Sequence, residues 1–463
     1  VLKLLRENYL GKVKMIYIDP PYNTGNDFVY NDDFSQSAGE YMHNSGQEDE
    51  EGNRLVANTE SNGRFHTDWL NMIYPRLKVA KDLLSEDGVI FISMNDCEQK
   101  NLRNVCDEIF GNGNFIAQLV WQQRKGGGND SRYIAVDHEY ILVYVKNESC
   151  QVEKWKISQS EEYQKRYNLV EPNGQRFYWD TLVRNGLQNP IVLNLTTPTG
   201  ESITINSQWS MERVQDGLKD GTVKFTPTAN GWSLHHKVYL KGGQVLRSLL
   251  TDMGTNKTAC DEQIAFFGKM YFDYPKPSTL VKCLTELVCS KDSLILDFFS
   301  GSATTAHAVI QLNAEDGGNR KFIMVQLPES TDEKSEAYKA GYKNICEIGK
   351  ERIRRAGKKI KEDSPLTTQD LDTGFRVLKL DSSNMQDVYY TPAEFNEQKL
   401  FDDNIKPDRT EEDLLFQTMI ELGIELSAKI EKRSIAGKAV WSVSDGYLMA
   451  CFDEEVNETT ITE

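Results

Sequence analysis

Val13-Lys14-Met15-Ile16-Tyr17-Ile18-Asp19-Pro20-Pro21-Tyr22-Asn23-Thr24-Gly25 decides the fold. Val13 to Ile18 is apolar and rich in β-branched and aromatic residues, as expected of a strand buried in a parallel sheet. It stops at two prolines, which continue neither a ladder nor a helix. An acid and a rigid turn at a strand's carboxyl end stand where open α/β sheets carry their sites.

Asp19, Pro20, Pro21 and Tyr22 suit chemistry on the exocyclic amine of a nucleobase. Such an amine is a poor nucleophile because its lone pair is delocalised into the ring. It attacks a methyl group only when acceptors draw its two protons out of the ring plane. The Asp19 carboxylate can take one proton and the Pro20 carbonyl the other, with the proline φ angles locked. Tyr22 offers an aromatic face to a base turned out of its helix. A plain strand-to-loop turn would use similar residues, but it would not need all four.

Outward from this corner the pattern alternates. Residues 26–65 are polar, with an acidic run at Glu48–Glu51, and read as a surface loop or a flap beside the turn. From Asp68, the residues Trp69, Met72, Ile73, Leu77, Ala80, Leu83 and Leu84 mark one helical face, ended by Asp87-Gly88. A strand is expected at Val89–Met94, a helix near 97–110, and strands at Phe115–Trp121 and Glu139–Val145. Strand and helix in alternation indicate a doubly wound sheet. Trp121 and His138-Glu139 read as core or edge packing. The glycine run Lys125–Asn129 lacks a phosphate-loop spacing and reads as a surface loop.

Residues 150–270 change character: short apolar stretches are broken by Asn-Gly, Thr-Gly, Asp-Gly and Gly-Gly turns, with aromatics among Lys and Arg. This predicts an inserted mixed α/β domain. Among its basic residues are Lys154, Lys165, Arg166, Arg176, Arg184, Lys237, Lys241 and Arg247, of the kind that meets phosphate. The α/β pattern resumes at Phe272. Lys276, Pro277 and Ser278 lead into an amphipathic helix. A strand then ends at Asp297-Phe298-Phe299, and Ser300-Gly301-Ser302-Ala303 opens another helix. Strand, small-residue turn, helix lets a backbone approach a nucleotide-like ligand. The next strand ends at Gln326, with Glu329 just beyond. Either can meet ribose hydroxyls, although Glu329 can equally be a helix-start charge. Residues 334–361 read as a helix with a basic end at Arg352, Arg354, Arg355, Lys358, Lys359 and Lys361. That end is a solvated face by default and a phosphate contact by alternative. Phe375–Leu380 reads as a last strand, and 385–463 as a small acidic α/β region.

Asp19-Pro20-Pro21-Tyr22-Asn23-Thr24-Gly25 resembles the catalytic motif of amino-group DNA methyltransferases. The chain is similar to the modification subunits of type III restriction–modification systems, most specifically at 13–25, 68–76 and 272–329. The turn after Asp297 resembles the family's Phe-x-Gly-x-Gly motif, with Ala303 where a second glycine is usual. A negative φ accepts that methyl and a positive φ resists it.

The resemblance implies a doubly wound, mostly parallel methyltransferase sheet, circularly permuted so that the catalytic half precedes the cofactor half. It divides the chain into 1–149 (catalytic), 150–270 (target recognition), 271–384 (cofactor) and 385–463 (C-terminal). It also implies S-adenosylmethionine, held by Lys276, Pro277, Ser278, Asp297, Phe298, Phe299, Ser300, Gly301, Ser302, Gln326 and Glu329, with Asp19, Pro20, Pro21 and Tyr22 catalytic. The activity implied is adenine-N6 methylation of double-stranded DNA. The partners are a restriction subunit with helicase and nuclease activity and a second copy of the chain. Cytosine-N4 methylation and a catalytically inactive specificity subunit are the rivals. Because the chain begins at Val1 close to the catalytic strand, the resemblance leads us to expect missing sequence before it.

The whole chain agrees. Its 463 residues allow two or three domains. No apolar run reaches membrane-spanning length, no signal peptide is evident, and eight scattered cysteines suit a reducing cytoplasm without a metal site. The net charge of −17 is uneven: residues 361–463 hold 23 Asp and Glu against 10 Lys and Arg. Residues 151–260 carry 13 Lys and Arg against 10 acids. A local surface can therefore tolerate phosphate despite the total.

Overall fold

Val13–Ile18 forms strand β1, and every one of its residues except Lys14 is buried. The computed structural model describes residues 1–24, 65–126, 131–151, 154–184, 186–229, 231–386, 404–453 and 456–462. All but the last residue of the flap reading of 26–65, and most of the glycine run (127–129), lie outside the described residues.

In the first part of the chain, β2 (Leu84–Met94), β3 (Phe115–Gln122) and β4 (His138–Val145) follow β1. The segment 154–246 contributes β5 (Leu169–Val170), β6 (Arg176–Thr181), β7 (Ile191–Thr196), β8 (Ser202–Ser207), β9 (Val223–Thr228) and β10 (Gly231–Tyr239). The remainder adds β11 (Leu249–Leu250), β12 (Leu294–Asp297), β13 (Lys321–Met324), β14 (Ile430–Ile435), β15 (Lys438–Val443) and β16 (Leu448–Cys451).

The central sheet runs β11-β3-β4-β2-β1-β12-β13. Its pairs are parallel except those made by β4, which runs against both β2 and β3. This is the mostly parallel, doubly wound α/β sheet expected. Met15 and Ile16 of β1 stand beside Ile295 and Leu296 of β12, so residues 280 apart in sequence are neighbours. From β1 the chain continues to β2 on one side, and from β12 to β13 on the other. The crevice outside the β1 and β12 carboxyl ends is the topological switch point.

Helices cover both faces. Ile16, Ile18, Ile90, Ile92, Leu142 and Tyr144 pack with Leu5, Trp69, Met72, Ile73, Leu77, Leu102 and Phe110 of the helices Leu2–Tyr9, Phe65–Leu83 and Gln99–Phe110. The helical face read from Trp69 to Leu84 is the buried one as far as Leu83, and Leu84 instead opens β2. On the opposite face Met15 lies 3.9 Å from Cys289, at the end of the helix Ser278–Val288.

The chain divides into two compact units, Val1–Glu153 with Arg247–Glu463, and Lys154–Leu246. The second is shorter than the interval 150–270: β11 and the helix Asn256–Phe267 belong with the first unit, because β11 pairs with β3. The second unit holds an antiparallel sheet, β5-β6-β10-β9, and a hairpin, β7-β8. Its core is Leu182, Leu193, Leu195, Ile205, Val214, Val223 and Leu234.

Phe375–Leu380 is not a strand. Val377, Leu378 and Leu380 are half exposed, so their alternation meets no buried face. The region 404–453 forms the antiparallel sheet β14-β15-β16 and the helix Glu411–Glu421 around Leu415, Met419, Trp441 and Val443. Asn8 of the first helix donates to the Met419 and Ile424 carbonyls and anchors this module.

Candidate active site

Asp19 follows β1 directly, Glu139 is the second residue of β4, and Lys276 precedes the helix Ser278–Val288, held between Pro275 and Pro277. The fold brings the three side chains together. The Lys276 Nζ donates to Asp19 Oδ1 at 2.9 Å, to Asp19 Oδ2 at 2.8 Å and to the Tyr22 hydroxyl at 2.9 Å. It also lies 3.2 Å from Glu139 Oε2. The Tyr22 Oη is 2.8 Å from Asp19 Oδ1 and 3.0 Å from Glu139 Oε2, so one phenolic proton serves two acceptors.

Lys276 is only 7% exposed. Burial alone would pull its ammonium down, but the carboxylates of Asp19 and Glu139 outweigh it and raise the pKa. Burial first, then the charges of Asp19 and Glu139, hold the Tyr22 phenol well above its ordinary value. Tyr22 is therefore a neutral hydrogen-bonding group. Two carboxylates against one ammonium leave the cluster with one net negative charge.

The turn is braced behind these groups. Trp69 donates its indole N–H to the Pro21 carbonyl at 2.7 Å. Asn23, with φ +55°, donates to the Phe65 carbonyl and to the buried Glu98. Asparagine tolerates that left-handed backbone better than most residues. Among the described residues no donor reaches the Pro20 carbonyl. An unused carbonyl next to a held carboxylate is the pair of acceptors that an amine needs.

The second half-site follows β12. Asp297 is buried, and burial pushes its carboxyl up to about 7. Thr305 donates to one of its oxygens at 2.6 Å and the Phe299 N–H to the other at 3.1 Å. Asp297 thus holds the shape of the turn, and its side chain is not presented to solvent. Phe298 and Phe299 have their rings in the core, which leaves only their backbone to a ligand. The Gly301 N–H donates to Gln326 Oε1 at 2.7 Å, so Gln326 clamps the turn. Glu329 lies three residues beyond, half-buried and raised by burial alone. No helix begins there, which removes the reading of Glu329 as a helix-start charge.

Gly301 has φ +47°, and a Cβ there would lie 2.9 Å from the tip of the Phe272 ring. Ala303 also takes a positive φ, +62°, the case in which its methyl is resisted. The two positions differ in expected cost. Gly301→Ala should lose at least about 1–2 kcal/mol from the left-handed backbone, plus the cost of displacing Phe272. Ala303→Gly should change stability by less than about 1 kcal/mol. Relief of a similar strain is offset there by a lost buried methyl and by a more flexible unfolded chain. Denaturant unfolding of the two variants checks the contrast.

Lys276, Pro277 and Ser278 divide between two tasks. Lys276 belongs to the Asp19 cluster. Ser278 donates its N–H and hydroxyl to Glu262, at 3.1 and 2.8 Å. Glu262 meets Arg352 at 3.0 Å, and Arg352 donates to Ser302 at 2.8 Å and Thr304 at 2.7 Å. Arg352 is fully buried, which corrects its reading as part of a solvated or phosphate-binding face. Arg354, Arg355, Lys358 and Lys359 of the same helix pair with Glu351, Glu362 and Asp363 on its surface.

In the second unit, Lys237 pairs with Glu171 at 2.6 Å and Arg184 with Asp180 at 2.8 Å. Arg176 donates to the Tyr167 and Gln164 carbonyls. These three do structural work. Lys154, Lys165, Arg166 and Lys241 are exposed, and Arg247 lies outside the unit.

Glu139, Glu262 and Arg352 were not legible as site residues. The signal for Glu139 was an acid inside the apolar strand His138–Val145, which burial without a partner would make costly. Arg352 stood on the face of its helix shared with Ile348, Ile353 and Ala356, a signal that pointed inward.

A family model described as DNA methylase matches residues 13–356. The chain is 38% identical over 389 residues to the type III restriction-modification enzyme StyLTI Mod subunit of Salmonella typhimurium, across 81% of this chain and 58% of that protein. It is 36% identical to the EcoPI Mod subunit of Escherichia phage P1, across 82% and 63%. It is 29% identical to the type II methyltransferase M.KpnI of Klebsiella pneumoniae, across 73% and 80%. The chain thus spans about three fifths of the length of the type III subunits it matches.

Proposed function

The chain belongs to the DNA methylase family, and from that premise we propose that it transfers a methyl group from S-adenosylmethionine to the N6 of a flipped-out adenine in double-stranded DNA. It would act as the modification component of a type III restriction–modification system, with a restriction subunit as partner and a second copy of the chain in the assembly. The observation that carries this reading is the juxtaposition of Asp19 and the unused Pro20 carbonyl with the turn after β12, one strand away.

The residues fit the cofactor. Glu329, three residues beyond the Gln326 that clamps the turn, is a half-buried carboxylate without a side-chain partner among the described residues, suited to ribose hydroxyls. The backbone of Ser300 to Ser302 and the start of the helix Thr304–Asp316 would approach the amino-acid end. When bound, the cofactor supplies a methyl group already activated by a sulfonium charge.

The chain's own groups then set the amine. Asp19 accepts one amine proton, and its carboxylate has lone pairs beyond those used by Lys276 and Tyr22. Pro20 accepts the second proton, its direction set by the locked ring. Lys276, itself steered by Glu139, keeps Asp19 aimed. The Tyr22 ring supplies a stacking face, worth about 1–3 kcal/mol per base. Positioning and oriented dipoles provide most of the rate, because the methylated amine is acidic enough to release its proton without a strong base.

The direct test is transfer from labelled S-adenosylmethionine to diverse genomic DNA, with sequencing of the modified base. Methyl-adenine within one short motif is the expected result. DNA binding without transfer, and without cofactor binding, would overturn it.

A further inference from the structure

We propose that Arg132, Tyr133 and Ile134, in the exposed segment that leads into β4, form a wedge that enters the duplex and fills the gap left by the flipped base. The inference rests on the reading of the site as a DNA base methyltransferase.

The loop stands on a firm base. The N–H groups of Gln123 and Arg124 donate to the Asp137 carbonyl at 2.9 and 3.3 Å. Asn256 then pins Gln123 twice, its N–H on the Gln123 carbonyl and its side chain on Gln123 Oε1 at 2.8 Å. The loop leaves the carboxyl end of β3, which runs parallel to β1 because both β2 and β3 oppose β4. It returns into Glu139, which pairs in register with Trp121 and belongs to the Asp19 cluster. Ile134 is five residues from Glu139, so the two Cα atoms are at most about 18 Å apart even with the chain fully extended. The segment is thus tethered within that reach of the Asp19 cluster.

Its chemistry fits a stacked, anionic partner. Tyr133 and Ile134 are each 83% exposed and Val136 is 49% exposed, three large apolar side chains within four residues. Single exposed apolar residues are ordinary, but a cluster of them in one exposed segment marks a contact surface. The Arg132 guanidinium stacks over the Tyr133 ring at 5.1 Å, and Arg124 is exposed nearby in the chain. In a protein of net charge −17, an exposed segment that joins apolar groups to cations is selective for phosphate-lined surfaces. A second copy fits less well, because a twofold contact would set these cations against themselves. Inserted apolar side chains are a general device for holding unstacked base steps open, a cost of a few kcal/mol otherwise.

The test uses the full chain and two duplexes carrying the site it methylates, one with the target adenine paired and one with it opposite an abasic gap. Tyr133→Ala/Ile134→Ala should lose tenfold or more in kcat/KM on the paired duplex and stay within threefold of wild type on the gapped one. Tyr133→Phe/Ile134→Leu, which keeps the apolar bulk, should stay within threefold on both. Equal loss on both duplexes, no loss on the paired one, or a changed molar mass by light scattering would overturn the wedge. A wild-type chain that methylates neither duplex would overturn the underlying reading, and the wedge with it.

Discussion

Asp19→Ala is expected to lower single-turnover methyl transfer by about three orders of magnitude while DNA affinity stays within about tenfold. The rate falls because the amine loses the acceptor that draws its proton out of conjugation. The Pro20 carbonyl alone leaves the lone pair largely in the ring. The fold should persist, since Lys276 keeps Glu139 at 3.2 Å and the Tyr22 hydroxyl at 2.9 Å. Affinity should persist because phosphate contacts elsewhere dominate binding to DNA. Alanine is the cleaner change: asparagine would turn an amide N–H₂ toward Lys276 or the incoming amine and add a repulsion of its own. Transfer is measured with labelled cofactor at saturating DNA, and affinity by equilibrium titration. Turnover within tenfold of wild type would show that Asp19 does not orient the amine.

Arg352→Met is expected to cost about 3–5 kcal/mol of stability, the range for breaking a buried ion pair from one side. Glu262, whose carboxyl burial already raises in spite of Arg352, would keep only Ser278 as a partner. Ser302 and Thr304 would lose the donors that brace the turn, so affinity for S-adenosylmethionine should also fall at least about tenfold. Adding Glu262→Gln removes the stranded charge and should recover at least about 1 kcal/mol, a coupling that only neighbouring residues show. Denaturant unfolding of both single variants and the double variant, with cofactor titration, measures the two effects. A stability loss under about 1 kcal/mol for Arg352→Met would contradict the network.

The corner at 13–25 was legible because its physics is local. A run of six residues with five apolar needs burial, and paired prolines end it, whatever the rest of the chain does. The helical face from Trp69 to Leu83, the strand before Asp297 and the order of the two half-sites follow in the same way from spacing along the chain. Together they determined the sheet and Asp19 as the central acid, while the permutation was implied by the family resemblance. Partnership was not legible, because it depends on distances across the fold. Lys276 reads as a neighbour of the cofactor turn until β1 and β12 pair and put its ammonium on Asp19, 257 positions away. Glu139 reads as edge packing until β4 runs antiparallel into the sheet and sets it on the same ammonium. Arg352 reads as surface charge until its helix packs against the turn and desolvates it. The sequence alone determined which segments are strands and where the first acid stands. Tertiary structure decided which charges meet, because a buried charge persists only beside a partner, and that partner comes from another element of the fold.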